Sequence, residues 1–409
     1  MRTPRRPLSL AALAVAAGLA LVGCTTESDS STERAERPEP LAVVGEANGI
    51  SADPTQNTSE ALVASVTAED WAVPVEIIDC DEPGCDGDRT QSVYTPLAAE
   101  DVTGDWDLCA VLPHVKDPYW LGINANLVME AERAGTSLQV YEAGGYTEIS
   151  TQLDQLSNCV ANGADAVIVS AVSNEALNSK IDEIAASGIP VIDAVNGVTS
   201  SNVDGRALFD YCTLGGNLGR HLAESGEEVR AVWFPGPAGV GSLEQLMSCF
   251  EAQTAGSNVE VLGVSYGDTG KDAQLALVEN ALSAYPEMNY IIGSATTVDA
   301  AVGPLTERGL TGSIQTASYY FTPEVYSLLE SGGATCSSAG NDLILGRIAV
   351  DMALRALEGQ PFNGGDHVGM AANVVCGPAA GGESDNLDTL VKGLNLPPTG
   401  FAPTFSVKN

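Results

Sequence analysis

From residue 107 onward, short apolar runs alternate with amphipathic stretches, and this alternation limits the fold more than any other feature of the chain. The runs DLCAVLP, LQVYEAG, ADAVIVSAV and IPVIDAVNG predict strands, and the segments between them have helical periodicity. Repeats of one strand and one helix favour a parallel, doubly wound sheet. The strands are apolar throughout, which is typical of a sheet covered on both faces.

The same alternation restarts close to residue 207, which indicates a second α/β lobe. The runs EVRAVWFPGP, VEVLGVSY and YIIGSATT predict its first strands. We therefore predict an α/β protein with two doubly wound parallel sheets, between which the chain crosses more than once. The expected segments are a β-rich N-terminal extension at 61–106, lobe 1 at 107–206 and 336–366, and lobe 2 at 207–335 and 367–409.

The N-terminus has the pattern of an export signal. A basic start, MRTPRR, precedes the apolar stretch LSLAALAVAAGLALV and then the residues LVGC. This pattern predicts a signal peptide at 1–23 and a lipid on the sulfur of Cys24, with an uncleaved anchor helix as the alternative. The Ser/Thr/Glu/Pro-rich residues that follow predict a disordered tether at 24–60. The protein is then expected outside the cytoplasm, anchored to the cell membrane.

The cysteine count agrees with export. Nine cysteines less the lipidated one leave eight, so up to four disulfides are expected in an oxidising compartment. Cys80 and Cys85 flank the turn-like DEPG, and Cys109 and Cys159 would lie at one edge of a parallel sheet. Elimination then suggests the pairs Cys212–Cys249 and Cys336–Cys376. A metal site is the alternative, but no CxxC or Cys/His cluster supports one, and we predict none.

Charge and motifs exclude several functions. The formal net charge is −36, from 54 acidic and 18 basic residues, and such a surface repels nucleic acid. The three histidines, His114, His221 and His367, are far apart, and no GxSxG or HExxH motif is present. The glycine-rich GPAGVGS and GDTGKD lack the Lys-Ser/Thr of a P-loop. We expect a ligand-binding protein without a cofactor, and an α/β enzyme is the weaker alternative.

Several segments of the sequence resemble those of a known protein family. The two lobes and the export signal resemble type I periplasmic binding proteins, whose lobes are joined by a hinge. LCAVLPHVKDPYWLGIN, LQVYEAGGY, PGPAGVGS and the terminal FAPTFSV are more closely similar to the TorT family of trimethylamine N-oxide (TMAO) reductase systems. This resemblance implies a ligand such as TMAO or a related methylated amine, and a membrane sensor histidine kinase as partner. The alternative is a binding lipoprotein that delivers a sugar or another small solute to an ABC permease.

Ligands of open α/β sheets bind beyond the carboxyl ends of the strands. The residues expected there are Asp117, Tyr119, Trp120, Tyr146 and Asn196 in lobe 1, and Tyr211, Thr296 and Tyr320 in lobe 2. The resemblance implies that Tyr119, Trp120, Tyr211 and Tyr320 form an aromatic cage. Rings suit a methylated ammonium group, because that cation has no N–H to donate.

Simpler interpretations exist for these residues. Asp117 and Pro118 are also a good N-cap and first helical residue. Tyr119 and Trp120 would pack in the core if they were ordinary aromatic residues. His114 is interpreted as a surface residue or as one behind the site.

Overall fold

The computed structural model describes residues 38–80, 87–378, 387, 398 and 400–408. The predicted signal peptide, the lipidation site Cys24 and the disulfide partner Cys85 lie outside these residues. Within them, no helix is both long enough and apolar enough to cross a membrane.

The described N-terminal residues pack on lobe 1. They contain β1 (Glu46–Ala47), β2 (Ile50–Ser51), α1 (Ser59–Val66), β3 (Val73–Asp79) and β4 (Asp88–Tyr94). Ile50 is buried, and the backbone N–H of Val93 donates to the carbonyl of Val44 at 2.9 Å. The prediction of a disordered tether that reaches residue 60 is therefore wrong for its last part, because buried apolar side chains such as Ile50 anchor it.

Lobe 1 is built on a nine-stranded sheet. Its further strands are β5 (Asp107–Leu112), β6 (Ser137–Glu142), β7 (Ala166–Val169), β8 (Val191–Val195), β9 (Gly205–Leu208), β15 (His367–Gly369) and β17 (Ser406–Val407). The order is β17-β6-β5-β7-β8-β9-β15-β3-β4, parallel from β6 to β15 and antiparallel at both ends. Helices α2 (Pro118–Ala134) and α10 (Leu345–Leu357) cover one face, and α3 (Ile149–Ala161) and α4 (Asn178–Ala186) cover the other.

Lobe 2 is built on a six-stranded sheet. Its strands are β10 (Val229–Phe234), β11 (Val259–Val264), β12 (Tyr290–Gly293), β13 (Gln315–Ser318), β14 (Cys336–Gly340) and β16 (Ala372–Cys376). The order is β11-β10-β12-β13-β14-β16, and only β16 is antiparallel to its neighbour. The helices are α5 (Tyr211–Glu224), α6 (Gly241–Thr254), α7 (Lys271–Ala284), α8 (Ala295–Glu307) and α9 (Pro323–Ser331).

The strand pairing corrects the expected lobe boundaries. Residues 336–340 form β14 in lobe 2, whereas we expected them in lobe 1. Residues 207–208, 367–369 and 406–407 pair in the lobe 1 sheet, whereas we expected them in lobe 2. The expected separate extension at 61–106 supplies β3 and β4 to the same sheet. Three described segments join the lobes: 209–210, 341–344 and 370–371.

Three disulfides are described, and they join the pairs named from the sequence. Cys109 is bonded to Cys159 in lobe 1, and lobe 2 contains Cys212–Cys249 and Cys336–Cys376. Cys80 is also disulfide-bonded. Its pairing with Cys85 stays a prediction, because Cys85 is outside the described residues.

Two of the segments that join the lobes bring carboxyl groups together. Asp210 caps α5 by accepting from the N–H of Thr213 at 3.0 Å, and it forms an ion pair with Arg89 at 2.6 Å. Asp342 lies in the second segment and is buried. Burial, reinforced by the negative charge of Asp210, raises the pKa of Asp342 to about 8. The joint between the lobes therefore holds a proton on this carboxyl group at neutral pH.

This proton predicts a pH dependence of stability. An unfolded aspartate ionises near 3.8 and the folded Asp342 near 8, so the folded state holds one more proton between these values. Stability should therefore fall as pH rises through that window. We expect Asp342→Asn to remove this loss and to be more stable than the wild type by roughly 2–4 kcal/mol at about pH 9. Urea unfolding of both proteins at acidic and alkaline pH measures their free energies of unfolding. If the free energies of the wild type and the variant change with pH to the same extent, the prediction is wrong.

Candidate ligand-binding site

A small cavity lies between the lobes, at the carboxyl ends of the central strands. Its volume is about 40 Å³, and we call it the aromatic cavity. The residues that line it come from both lobes: Asp117, Tyr119, Trp120, Tyr146, Phe209, Tyr211, Leu243, Thr269, Tyr319 and Tyr320. A larger cavity of about 310 Å³ lies beside it and shares Asp117 and Thr269, and we call it the outer cavity.

The start of α2 places the first two rings. Asp117 has extended backbone and its Oδ1 accepts the N–H of Trp120 at 3.0 Å, and Pro118 occupies the first helical position. This cap fixes the direction in which the helix leaves β5. Tyr119 and Trp120 then stand at the end of the sheet that faces lobe 2, and both are buried. Asp117 is thus a cap and also part of the cavity wall.

Aromatic rings from the two lobes meet across the cleft. The ring centroids of Tyr119 and Tyr320 are 5.4 Å apart, in an edge-to-face arrangement. Tyr119 contacts Trp120 at 5.6 Å and Phe209 at 5.7 Å in the same way. Phe209 contacts Tyr211 at 4.8 Å. Such pairs contribute about 0.5–1.5 kcal/mol each beyond the area they bury, so the pair of Tyr119 and Tyr320 stabilises the contact between the lobes.

Asn196 supports two of these rings from behind. Its Oδ1 accepts from the hydroxyl of Tyr211 at 2.8 Å, and its Nδ2 lies 3.4 Å from the hydroxyl of Tyr146. The preceding residue, Val195, has a φ of 66°, which is rare for a β-branched residue. This conformation costs roughly 1–3 kcal/mol, and such strain is concentrated at functional sites.

His114 lies inside the protein, against the cavity wall. It is 1% exposed, and its ring makes edge-to-face contacts with Trp120 at 6.0 Å and Tyr146 at 5.5 Å. The N–H of Lys116 donates to its Nδ1 at 3.3 Å, which leaves Nε2 facing Thr269 of lobe 2 at 3.4 Å. Burial lowers the pKa of His114, so the ring is neutral at neutral pH. A surface position for this residue is therefore excluded.

The lining has little charge. Among the described residues that form it, Asp117 supplies the one carboxyl group, and there is no lysine or arginine. Burial raises the pKa of Asp117, while His114 and the N–H of Trp120 oppose this rise. Burial also raises the pKa of Tyr119, Tyr211 and Tyr320, so their hydroxyls stay protonated. The arrangement offers ring faces, hydroxyl donors and one acid to a small ligand.

One hydroxyl in the wall has no partner. Tyr119 lines the cavity and is buried, yet its Oη has no hydrogen-bond partner in the structure. By contrast, the hydroxyl of Tyr319 donates to the carbonyl of Pro235 at 2.6 Å. An unpaired buried hydroxyl costs roughly 1–3 kcal/mol, which a ligand that accepts a hydrogen bond would recover.

The structure brings six of the eight expected site residues to the aromatic cavity: Asp117, Tyr119, Trp120, Tyr146, Tyr211 and Tyr320. Asn196 lies behind the wall, and Thr296 lines the outer cavity, because it is in the first turn of α8. Phe209, Leu243 and Thr269 were not anticipated from the sequence. The signal for Thr269 was present, since GDTGKD follows a strand and faces the cleft.

The family follows from a sequence comparison. The model of the periplasmic binding protein domain matches residues 109–361, which is more than half of the chain. The chain belongs to the periplasmic binding protein family. The matched residues run from β5 to just after α10, so the match covers strands and helices of both lobes of this binding protein.

Specific relatives are similar over most of the chain. The periplasmic protein TorT of Escherichia coli K12 is 31% identical over 275 residues, which are 66% of this binding protein and 78% of TorT. A solved ABC transporter solute-binding protein from Bradyrhizobium sp. BTAi1, with bound bis-tris, is 41% identical with a TM-score of 0.68. That match covers 81% of this chain and 97% of the other.

A complex is among the similar structures. TorT bound to the TorS sensor domain has a TM-score of 0.65 without ligand and 0.64 in the presence of TMAO. Each match has 26% identity and covers 74% of this binding protein and all of the other chain. Members of the family bind ligands and are not enzymes, so the protein is a solute-binding protein that works outside the cytoplasm.

Proposed function

We propose that this protein is an exported lipoprotein that closes its cleft on a small methylated amine or amine N-oxide and presents the bound state to a membrane sensor histidine kinase. The observation that carries the ligand class is the aromatic cavity, in which rings of both lobes surround a small space. The proposed anchor is a lipid on Cys24, outside the described residues. Domain closure of this kind couples ligand binding to the shape that a partner reads.

The size of the cavity favours a compact ligand. A volume of about 40 Å³ corresponds to roughly three water molecules, at 10–15 Å³ for each. TMAO has five non-hydrogen atoms and a hexose has twelve, so the closed arrangement suits the smaller molecule. A sugar would require the lobes to separate and the contact between Tyr119 and Tyr320 to open.

The chemistry of the wall favours the same class. Ring faces attract a methylated ammonium group by about 0.5–2 kcal/mol each, and an amine that donates no hydrogen bonds depends on such contacts. Asp117 adds negative charge at the mouth of the site when it is ionised. The unpaired hydroxyl of Tyr119 provides a donor for an N-oxide oxygen.

The relatives support a sensor partner and leave one alternative. TorT, at 31% identity, forms a complex with the TorS sensor domain, and this likeness favours a kinase. The Bradyrhizobium protein, at 41% identity, belongs to an ABC transporter, which favours a permease as the alternative partner. That structure contains bound bis-tris, which combines a tertiary amine with several hydroxyl groups.

Calorimetry with the purified mature protein tests the ligand class. The panel is TMAO, trimethylamine, betaine, choline, tetramethylammonium, ribose and galactose at equal concentrations. We expect heat of binding with at least one methylated amine or N-oxide and none with the sugars. Binding of ribose or galactose without any methylated amine would overturn the proposal and favour a sugar importer.

Tyr119→Phe separates the N-oxide from the ammonium group. Because the hydroxyl has no partner in the structure, its removal should leave the stability of the free protein unchanged or slightly higher. The affinity for TMAO should fall by about five- to tenfold, as expected for one lost hydrogen bond of about 1 kcal/mol or more. The affinity for tetramethylammonium, which has no oxygen, should stay the same. Equal losses for both ligands would show that the hydroxyl does not contact the oxygen.

A further inference from the structure

A histidine lies against one disulfide of lobe 2, away from the cleft. The Nε2 atom of His221 is 3.4 Å from the sulfur of Cys336 and 3.3 Å from that of Cys376. Among the described residues, this is the one group of three His, Cys, Asp or Glu side chains whose donor atoms could hold a metal, all within 4.8 Å of one another. The proposed solute site does not use any of the three.

Secondary structure holds the three residues in place. Cys336 begins β14 and stands directly opposite Cys376, the last residue of the antiparallel β16. Their Cα atoms are 4.0 Å apart. His221 is in the last turn of α5, which packs on both strands. The β14–β16 ladder and this helix contact therefore keep the two sulfurs beside the imidazole even without the bond between them.

The distances are close to those of a tetrahedral metal centre. With Zn–S bonds of 2.3 Å and Zn–N bonds of 2.0–2.1 Å, tetrahedral geometry separates N from S by about 3.6 Å and S from S by about 3.8 Å. The histidine nitrogen is already within about 0.3 Å of that spacing. Only the sulfurs must separate, which happens when the disulfide is reduced.

We propose that the reduced form of this pair, with His221, binds a thiophilic divalent cation of the Zn²⁺ class. The reductant is an external dithiol, which supplies two electrons and two protons and is itself oxidised to a disulfide. The two thiols so formed lose their protons to solvent when the metal binds, and two thiolates and the neutral Nε2 become ligands. His221 and Cys376 are partly exposed, so water can occupy the fourth position.

In the reduced protein, a metal bound at this site would link β14 and β16 in place of the disulfide. β14 leads into the joining segment 341–344, and β16 follows the joining segment 370–371. A metal held by Cys336 and Cys376 keeps these strands linked when the covalent bond is open. Lobe 2 would then retain its edge strand under reducing conditions.

Metal binding to the reduced mature protein tests the proposal. The protein is reduced without oxygen using a phosphine, titrated with Co²⁺ as the spectroscopic probe, and then with Zn²⁺ against a chromophoric chelator. We expect the reduced protein to show a thiolate-to-cobalt absorption band that disappears when Zn²⁺ is added. The oxidised protein should show no such band. The double variant Cys336→Ser/Cys376→Ser should bind one equivalent of Zn²⁺ less than the wild type. The matched double variant Cys212→Ser/Cys249→Ser should bind as much as the wild type.

His221→Ala is the decisive variant, because it keeps all the cysteines. We expect it to lower the affinity for Zn²⁺ by about tenfold or more and to change the cobalt spectrum. Circular dichroism checks that each reduced variant is folded. The proposal is overturned if the reduced wild type binds no more Zn²⁺ than the Cys336/Cys376 double variant. It is equally overturned if His221→Ala leaves both affinity and spectrum unchanged.

Discussion

Replacing Trp120 with alanine is expected to lower the affinity for the proposed methylated ligand by at least about 100-fold, the size of effect seen for buried aromatic anchors. The indole is 3% exposed and forms one wall of the aromatic cavity. It also packs edge-to-face against the ring of Tyr119, with the ring centroids 5.6 Å apart. The substitution removes a ring face from the cation and opens the wall to water, which weakens the remaining electrostatic contacts. Calorimetry with the ligand that binds the wild type measures the loss.

Two further variants make this result specific. Tyr266 is an exposed aromatic residue of lobe 2, at 46% exposure, and Tyr266→Ala should bind like the wild type. Trp120→Phe keeps a smaller ring and should recover part of the affinity. Thermal unfolding of all three variants shows whether the fold survives. If folded Trp120→Ala binds as tightly as the wild type, the ring does not contact the ligand.

Most of the residues that line the aromatic cavity were predictable, because the ends of strands can be recognised in the sequence. Each apolar run ends where polar and aromatic residues begin, and parallel strands bring those ends to one edge of a sheet. Tyr119, Trp120 and Tyr211 could therefore be assigned to one cleft from the sequence alone. The family resemblance added the prediction that their rings form an aromatic cage. The structure places these residues on the wall of a single cavity.

The lobe boundaries were not predictable in the same way. A strand of three residues such as His367–Gly369 carries no sign of the sheet it joins, because pairing depends on partners distant in the chain. The position of Phe209 in the cavity wall was not predictable for a related reason. It follows a short strand as one more apolar residue, and only the crossing of the chain between lobes turns its ring toward the cleft.

The largest stability effect is expected at Glu130, a buried carboxylate in α2. Its Oε2 accepts from the indole N–H of Trp71 at 2.9 Å and from Nε of Arg347 at 2.8 Å. Its Oε1 accepts from Nε of Arg133 at 2.8 Å. Arg347 also donates to the carbonyl of Val66 and lies over the ring of Trp71. One carboxylate thus holds the N-terminal segment, α2 and α10 together.

Glu130→Ala should destabilise the protein by about 3–5 kcal/mol, because it leaves the guanidinium of Arg347 buried without its counter-charge. Glu132→Ala, an exposed change two residues along the same helix, should stay within about 0.5 kcal/mol of the wild type. Combining Glu130→Leu with Arg347→Met removes both charges together and should cost less than Glu130→Ala alone. Urea unfolding measures the three free energies. A loss at Glu130 as small as that at Glu132 would mean that the network does not hold the N-terminal segment to lobe 1.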